Sequence, residues 1–217
     1  MMIHYIAAKK YGRPFYLFHL GFPEFSCRYN PIGRYSRITE VATRISNQLP
    51  GDGQAASFKN FVFRFVNVLA KLMEALSIKP SFVELYNSAI NIEIIAKQYF
   101  GKLLDKGYPD WKSDFEDLKI QGASQKAQKT GRSLEVIKMM DYIVELGLRN
   151  ELFDAVAGVL NNDRTYFDKL VSSLYPLLEK LTSGDIAQLI SPDVEDLSDP
   201  RPILDWAKAI GENPVVY

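Results

Sequence analysis

Residues 54–77 carry the clearest pattern of hydrophobic and polar positions in the chain. The polar residues recur at steps of four, three, four and three, which keeps them on one narrow line of a helix: Asn60, Arg64, Asn67, Lys71 and Glu74. Nearly all other positions are apolar, so the apolar face covers most of the helix. A surface helix needs only an apolar stripe, so this pattern predicts a core helix. Its charges interrupt every window of about 20 residues and exclude a membrane span.

The same periodicity predicts helices along most of the remaining chain. The polar segment 121–132 is predicted as a linker and the acidic segment 191–199 as a loop. Asp199 is predicted to cap a last helix with Pro200 at its first position, running through Trp206 to Ile210. The other predicted helices cover residues 3–10, 38–49, 81–89, 90–104, 110–120, 134–148, 151–160, 166–181 and 185–190.

Two apolar runs near the chain ends predict strands. Residues 14–20 form a nearly continuous apolar and aromatic run, typical of a strand buried on both faces of a parallel sheet, and residues 214–217 begin a second strand. Two strands alone make a weak sheet. The pattern therefore predicts a mainly α fold, a helical bundle inserted into an α/β parent. The expected domains are 1–30 and 199–217 as edges of the parent, and 31–198 as the all-α domain.

Composition narrows the function classes. The chain has 26 basic and 26 acidic residues, so binding to nucleic acid or anionic lipid has to come from a local patch. A single cysteine, Cys27, excludes an internal disulfide and favours a reducing compartment. The N-terminus lacks the pattern of a signal peptide. We therefore expect a cytoplasmic location, as a soluble monomer or weak oligomer.

Several segments together resemble a known family. They are Asn30-Pro31-Ile32-Gly33-Arg34, Ile38-Thr-Glu-Val-Ala-Thr-Arg44, Gln48-Leu-Pro-Gly-Asp-Gly-Gln54 and Phe61-Val-Phe-Arg-Phe-Val-Asn67, with the closing Asp205-Trp206 and Pro214-Val-Val-Tyr217. They resemble the all-α domain of conjugative coupling proteins of the TraD type. These are ATPases of type IV secretion, encoded on plasmids or integrative elements, that bring relaxase-bound DNA to the transfer channel.

The resemblance implies a hexameric, RecA-like parent anchored at the cytoplasmic face of the bacterial inner membrane. ATP and Mg²⁺ would be bound by that parent, with its phosphate-binding loop before this chain and its metal-binding strand after it. The implied partners are relaxase or other relaxosome proteins and single-stranded DNA. This chain lacks the motif G-x-x-x-x-G-K-[ST], and Gly51-Asp-Gly53 is interpreted as a turn and helix start, because Asp52 would repel a phosphate. We expect no catalytic, cofactor-binding or metal-binding residues in it.

Other chemistry has weaker support in the sequence. His4 and His19 lack the spacing of a zinc site, and Cys27 has no neighbouring histidine, so a structural thiol is expected. Two acidic clusters would suit either solvated surface or a cation or basic partner. They are Asp110, Asp114, Glu116 and Asp117, and Asp193, Glu195 and Asp196.

Two groups of cations are the candidate binding residues. Lys119, Lys126, Lys129 and Arg132 lie among Gln, Ser, Thr and Gly, which suits phosphate contacts from a mobile loop. Arg28, Arg34, Arg37 and Arg44 flank two tyrosines, Tyr29 and Tyr35, which suits single-stranded bases. The alternatives are solubilising loops for these segments and, for the chain as a whole, an enzyme or effector that merely looks helical or a purely protein-docking module. The polar line on the core helix has two interpretations, a partner contact or a solvated intrahelical ladder. The selected candidates are Arg34, Arg37, Arg44, Lys126, Lys129 and Arg132.

Overall fold

Helices make up most of the chain, which confirms the predicted mainly α fold. The computed structural model describes residues 2–53, 55–193, 196 and 198–217. In these ranges no helix combines the length and the apolar character that crossing a membrane requires. The elements are α1 (Met2–Lys10), β1 (Phe15–Tyr16), a 3₁₀ turn (Pro23–Phe25), α2 (Thr39–Ser46), α3 (Ala55–Ala75), α4 (Phe82–Ile90), α5 (Ile92–Gly107), α6 (Trp111–Asp117), α7 (Ala123–Thr130), α8 (Leu134–Glu145), α9 (Glu151–Leu160), α10 (Arg164–Ser172), α11 (Tyr175–Thr182), α12 (Gly184–Ile190), α13 (Trp206–Glu212) and β2 (Val215–Val216).

The chain divides into two compact units. The terminal unit comprises Met1–Arg34, Ser81–Val83 and Leu177–Tyr217, and the helical unit comprises Tyr35–Pro80 and Glu84–Pro176. The sequence analysis predicted residues 31–198 as the all-α domain. In the structure the residues from Leu177 onward belong to the same unit as the N-terminal segment.

The terminal unit joins the two ends of the chain in a small parallel sheet. Phe15 pairs with Val215 and Tyr16 with Val216. The Arg13 guanidinium donates to the backbone oxygen of Asn213 at 2.6 Å, which holds the start of β1 beside β2. The unit has a small core of Cys27, Leu204 and Ala209, against which Tyr16, Phe18 and Tyr29 pack.

Two predictions for this unit are wrong in detail. The expected strand at residues 14–20 is regular only over Phe15–Tyr16, and both residues are half-buried rather than covered on both faces. Its single described neighbour, β2, explains this, because a strand buried on both faces needs a wider sheet. The last helix begins at Trp206 with Asp205 as its N-cap, not at Pro200. The Asp199 carboxylate instead accepts from the Arg201 guanidinium at 2.6 Å.

The predicted core helix is confirmed as α3, at the centre of the helical unit. It packs against α2, α5 and α9. The predicted start at Gln54 lies outside the described residues. The aromatic contact to α10 is edge-on, with the Phe65 and Phe167 ring centroids 5.1 Å apart. The buried residues of α3 are Val62, Phe65, Val66, Leu69, Ala70, Leu72 and Met73.

The segment 121–132 forms a helix, so the linker prediction is wrong. Residues Ala123–Thr130 make up α7, with Gly122 and Gly131 in the left-handed region at φ 80° and 68° at its two ends. Ala123 and Ala127 are buried, and α7 packs against α8. Lys126 and Lys129 therefore lie on a folded helix rather than on a mobile loop.

Candidate functional site

The candidate arginines of the N-terminal group lie around α2 and in the terminal unit. Arg37 precedes α2, is exposed, and has no ion pair with the described residues. Arg44, in the last turn of α2, pairs with Glu40 one turn earlier at 3.1 Å. Arg34 belongs to the terminal unit and pairs with Asp205, with more than half of each side chain exposed. Exposed pairs of this kind contribute at most about 1 kcal/mol, so a phosphate can compete for the arginines.

The candidate lysines lie on α7. The Lys126 ammonium donates to the Asp141 carboxylate of α8 at 2.7 Å. Lys129, one turn along, is exposed and forms no ion pair within the described ranges. Only Arg37 and Lys129 among the six candidates therefore combine exposure with the absence of an ion pair in the described part of the chain.

Arg132 is buried, which removes it from the candidate phosphate contacts. Its side chain is 3% exposed and lies 3.7 Å from the Glu93 carboxylate, which is 9% exposed. The guanidinium stacks on the Phe167 ring at 5.4 Å. Burial lowers the pKa of Arg132, and the Glu93 charge opposes that shift. Arg132 thus forms a buried ion pair inside the helical unit and does not reach the surface.

Arg28, a member of the same N-terminal group, is also buried. Its guanidinium donates to the backbone oxygens of Arg201 and Asp199 at 3.1 and 3.3 Å. It lines a cavity of about 470 Å³ in the terminal unit together with Asp199 and Arg201. Hydrogen bonds from Arg201, above all, hold the pKa of the Asp199 carboxyl well below its usual range. Arg28 and Arg201 thus both pair with the Asp199 carboxylate inside the unit.

The structure distributes the candidate cations rather than assembling them. Arg37 precedes α2 and Arg44 lies in it, and α2 packs against α3, whereas Lys126 and Lys129 lie on α7, which packs against α8. Arg34 lies in the other unit. The structure therefore provides two cation groups in the helical unit, each on its own pair of helices.

The sequence did not predict a third group of cations, although one member, Lys71, lies on the polar line of the core helix. Lys71 of α3 and Lys102 and Lys106 of α5 line a groove of about 460 Å³ beside the first residues of α9. The spacing of Lys102 and Lys106, one helical turn apart, is visible in the sequence. Their convergence with Lys71 depends on the packing of α3 on α5, which the sequence alone does not specify.

His19, Cys27 and Asp114, which were considered as possible ligands or reactive groups, take part in structural contacts or are buried. His19 Nδ1 accepts from the backbone N–H of Gly21 at 3.0 Å. Burial raises the pKa of the Cys27 thiol to about 11, as expected for a structural cysteine. Asp114 accepts from the Tyr108 hydroxyl at 2.6 Å. The acidic cluster at 193–196 lies partly outside the described residues, and elsewhere in the described chain no three His, Cys, Asp or Glu side chains are grouped to hold a metal ion.

Comparison of the chain with protein-family models, curated proteins and solved structures finds no match.

Proposed function

We propose that this chain is the cargo-docking part of a conjugative coupling protein. In this proposal the helical unit is the all-α domain that meets relaxosome proteins and single-stranded DNA, and the terminal unit is an edge of the RecA-like motor domain. ATP hydrolysis would belong to the parent, which we propose is a hexamer anchored at the cytoplasmic face of the inner membrane.

The observation that carries the proposal is the order of the two units along the chain. The terminal unit is built from both chain ends, joined through parallel pairing of Phe15 with Val215, and the helical unit is inserted between them. A parallel pair normally belongs to a larger covered α/β sheet. A helical domain that leaves such a sheet and returns to it is the arrangement that the resemblance implies.

Exposed apolar residues of the terminal unit support the same proposal. Ile3 and Ile6 of α1 are 81% and 57% exposed, and Phe25 is 72% exposed. Ile3 and Ile6 lie one turn apart on α1 and so share an apolar face of that helix, of the kind that packs against something else. Further strands and helices of a parent motor domain would cover it.

DNA would be held by surface cations of the helical unit. Arg37 and Lys129 are exposed and have no ion pair with the described residues. Arg44 and Lys126 take part in ion pairs at 3.1 and 2.7 Å, and each can exchange its carboxylate for a phosphate at small cost. Contacts of this kind bind any sequence reversibly, as a passing cargo strand requires.

The second candidate function is a docking module for a relaxase or accessory protein without DNA contact. The observation that favours it is the loss of Arg28 and Arg132, both buried, from the cation groups. With these two removed, each cation group offers fewer phosphate contacts than the sequence indicated.

Binding to a fluorescein-labelled oligo-dT strand, followed by fluorescence anisotropy, tests the DNA contact. We expect Arg37→Glu combined with Lys129→Glu to weaken binding about tenfold at low salt, because two contacts become repulsive. Lys79→Glu with Lys169→Glu is the matched control, since both lysines are exposed residues of the helical unit and form no ion pair in the described ranges.

Absence of binding at low salt, or equal losses in the two double variants, would reject the DNA contact and favour protein docking. The family assignment has a separate test in the parent gene. We expect it to encode a phosphate-binding loop before residue 1, and a parent without that loop would reject the assignment.

A further inference from the structure

The ends of three helices of the helical unit enclose a groove of about 460 Å³. The last turns of α3 and α5 form two sides, and the first turn of α9 forms the third. These three helices contact one another pairwise, so the groove is part of the packed bundle rather than a gap at a loose end.

The groove carries an excess of positive charge. Lys71, Lys102 and Lys106 line it, against one acidic side chain, Glu151. Glu151 is 95% exposed and lies 3.8 Å from the Lys71 ammonium, so this pair is loose and solvated. Lys106 forms no ion pair within the described ranges. In a chain of zero net charge, this is a local site for an anionic partner.

Two further polar groups of the groove, Lys102 and Asn150, already have structural partners. The Lys102 ammonium donates to the backbone oxygen of Ala75 and satisfies the carboxyl end of α3. Asn150 caps α9, since its side-chain oxygen accepts from the backbone N–H of Phe153 at 2.9 Å. The first turn of α9 therefore stays fixed, and its positive end faces the groove beside the lysines.

The floor of the groove is apolar. Ala75, Leu103 and Leu152 are half-buried residues that line it. Among the described lining residues Tyr99 is the single aromatic side chain, and it is 4% exposed with its hydroxyl bonded to Asn150 at 2.8 Å. Single-stranded nucleic acid is held by stacking on exposed aromatic rings. The groove offers aliphatic surface and ammonium groups instead.

We propose that this groove binds an acidic peptide segment of a protein partner. Carboxylates of the segment pair with Lys71, Lys102 and Lys106, while an aliphatic side chain of the segment covers Leu103 and Leu152. The proposal does not depend on the coupling-protein assignment, because it uses only the charge and the apolar floor of the groove.

An NMR titration with ¹⁵N-labelled full chain tests it, using the peptide Leu-Asp-Glu-Leu-Asp-Glu-Leu as the probe. We expect saturable shifts confined to the ends of α3 and α5 and the start of α9, with a dissociation constant below about 1 mM. The peptide Leu-Lys-Lys-Leu-Lys-Lys-Leu is expected to leave these signals unchanged.

Three variants sharpen the titration. Lys71→Gln with Lys106→Gln should weaken binding about fivefold, because two ion pairs are lost. Glu151→Gln should strengthen it about twofold, since the one repelling carboxylate is removed. Lys169→Gln on α10 is the matched control and should leave the affinity unchanged. Lys102 is left intact because it supports the end of α3.

Absence of saturable shifts at several millimolar peptide would overturn the proposal, and so would equal losses with Lys169→Gln. Stronger shifts of the same residues by an oligo-dT strand of equal charge would also overturn it, in favour of nucleic acid. The DNA contact proposed above uses Arg37 and Lys129, so failure of one proposal is distinguishable from failure of the other.

Discussion

Truncation of Phe65 tests the claim that α3 is the centre of the helical unit. Phe65 is 2% exposed. Its ring lies 6.2 Å from the ring of Phe61 in a stacked arrangement and 5.1 Å edge-on from the ring of Phe167. Phe65→Ala therefore empties a ring-sized volume between α3 and α10.

The expected cost follows from that burial. Replacing a buried phenylalanine with alanine costs about 3 to 5 kcal/mol, since the transfer energy of the ring is lost and a cavity remains. The two aromatic pairs place the value in the upper part of that range, because each pair adds about 0.5 to 1.5 kcal/mol beyond the buried area. The matched control is Phe63→Ala, on the same helix, whose residue is only half-buried.

Urea unfolding of the helical unit can be followed separately from the terminal unit. The chain has two tryptophans, Trp111 in the helical unit and Trp206 in the terminal unit, so a Trp206→Phe background leaves Trp111 as the reporter. With a slope of about 2 kcal/mol per molar urea, a cost of about 4 to 5 kcal/mol for Phe65→Ala should lower the midpoint by about 2 to 2.5 M. A loss no larger than that of Phe63→Ala would refute a central position for α3.

Three further predictions follow from buried or paired groups. Glu93→Gln should cost about 3 to 5 kcal/mol, because it leaves the Arg132 charge buried, whereas Arg132→Met should cost less, because Glu93 keeps Arg164 at 4.0 Å; urea unfolding should show that the double variant loses less than the sum. Asp199→Asn should lower the thermal midpoint at pH 7. The difference from wild type should shrink as the pH falls below about 4, because the low native pKa of Asp199 stabilises the folded chain only where the same carboxyl is ionised in the unfolded chain. The Cys27 thiol, with a pKa of about 11 in the folded chain, should react with a thiol reagent at pH 8 much more slowly in native than in urea-unfolded protein, and equal rates would contradict its burial.

The core was predictable because its signal is local and strong. In residues 55–75 the apolar side chains cover most of the helix circumference, which indicates a buried helix. Helix α3 occupies those residues. Helix α7 gave no such signal. Its buried residues are the small Ala123 and Ala127 with Thr130, so its apolar face is too slight to stand out from a polar segment flanked by glycines.

The candidate site was less predictable, because the surroundings of a charge depend on distant residues. Arg132 ends a polar segment, which predicts a position at the surface. Its partner Glu93 lies on α5, however, and the ion pair between the two side chains is buried. The groove at Lys71, Lys102 and Lys106 forms only where α3, α5 and α9 meet. Sequence spacing identifies residues that share one helix face, whereas contacts between helices decide which cations remain available.

The dependence of single-stranded DNA affinity on salt tests the proposed docking function most directly. With Arg132 excluded, about three to four of the remaining cations can contact phosphates, so log K should fall with log salt at a slope of about −2 to −3. The Arg37→Glu and Lys129→Glu double variant should flatten that slope, while the Lys79→Glu and Lys169→Glu control keeps it. No measurable affinity at low salt, or a slope that both double variants leave unchanged, would contradict DNA docking by this surface.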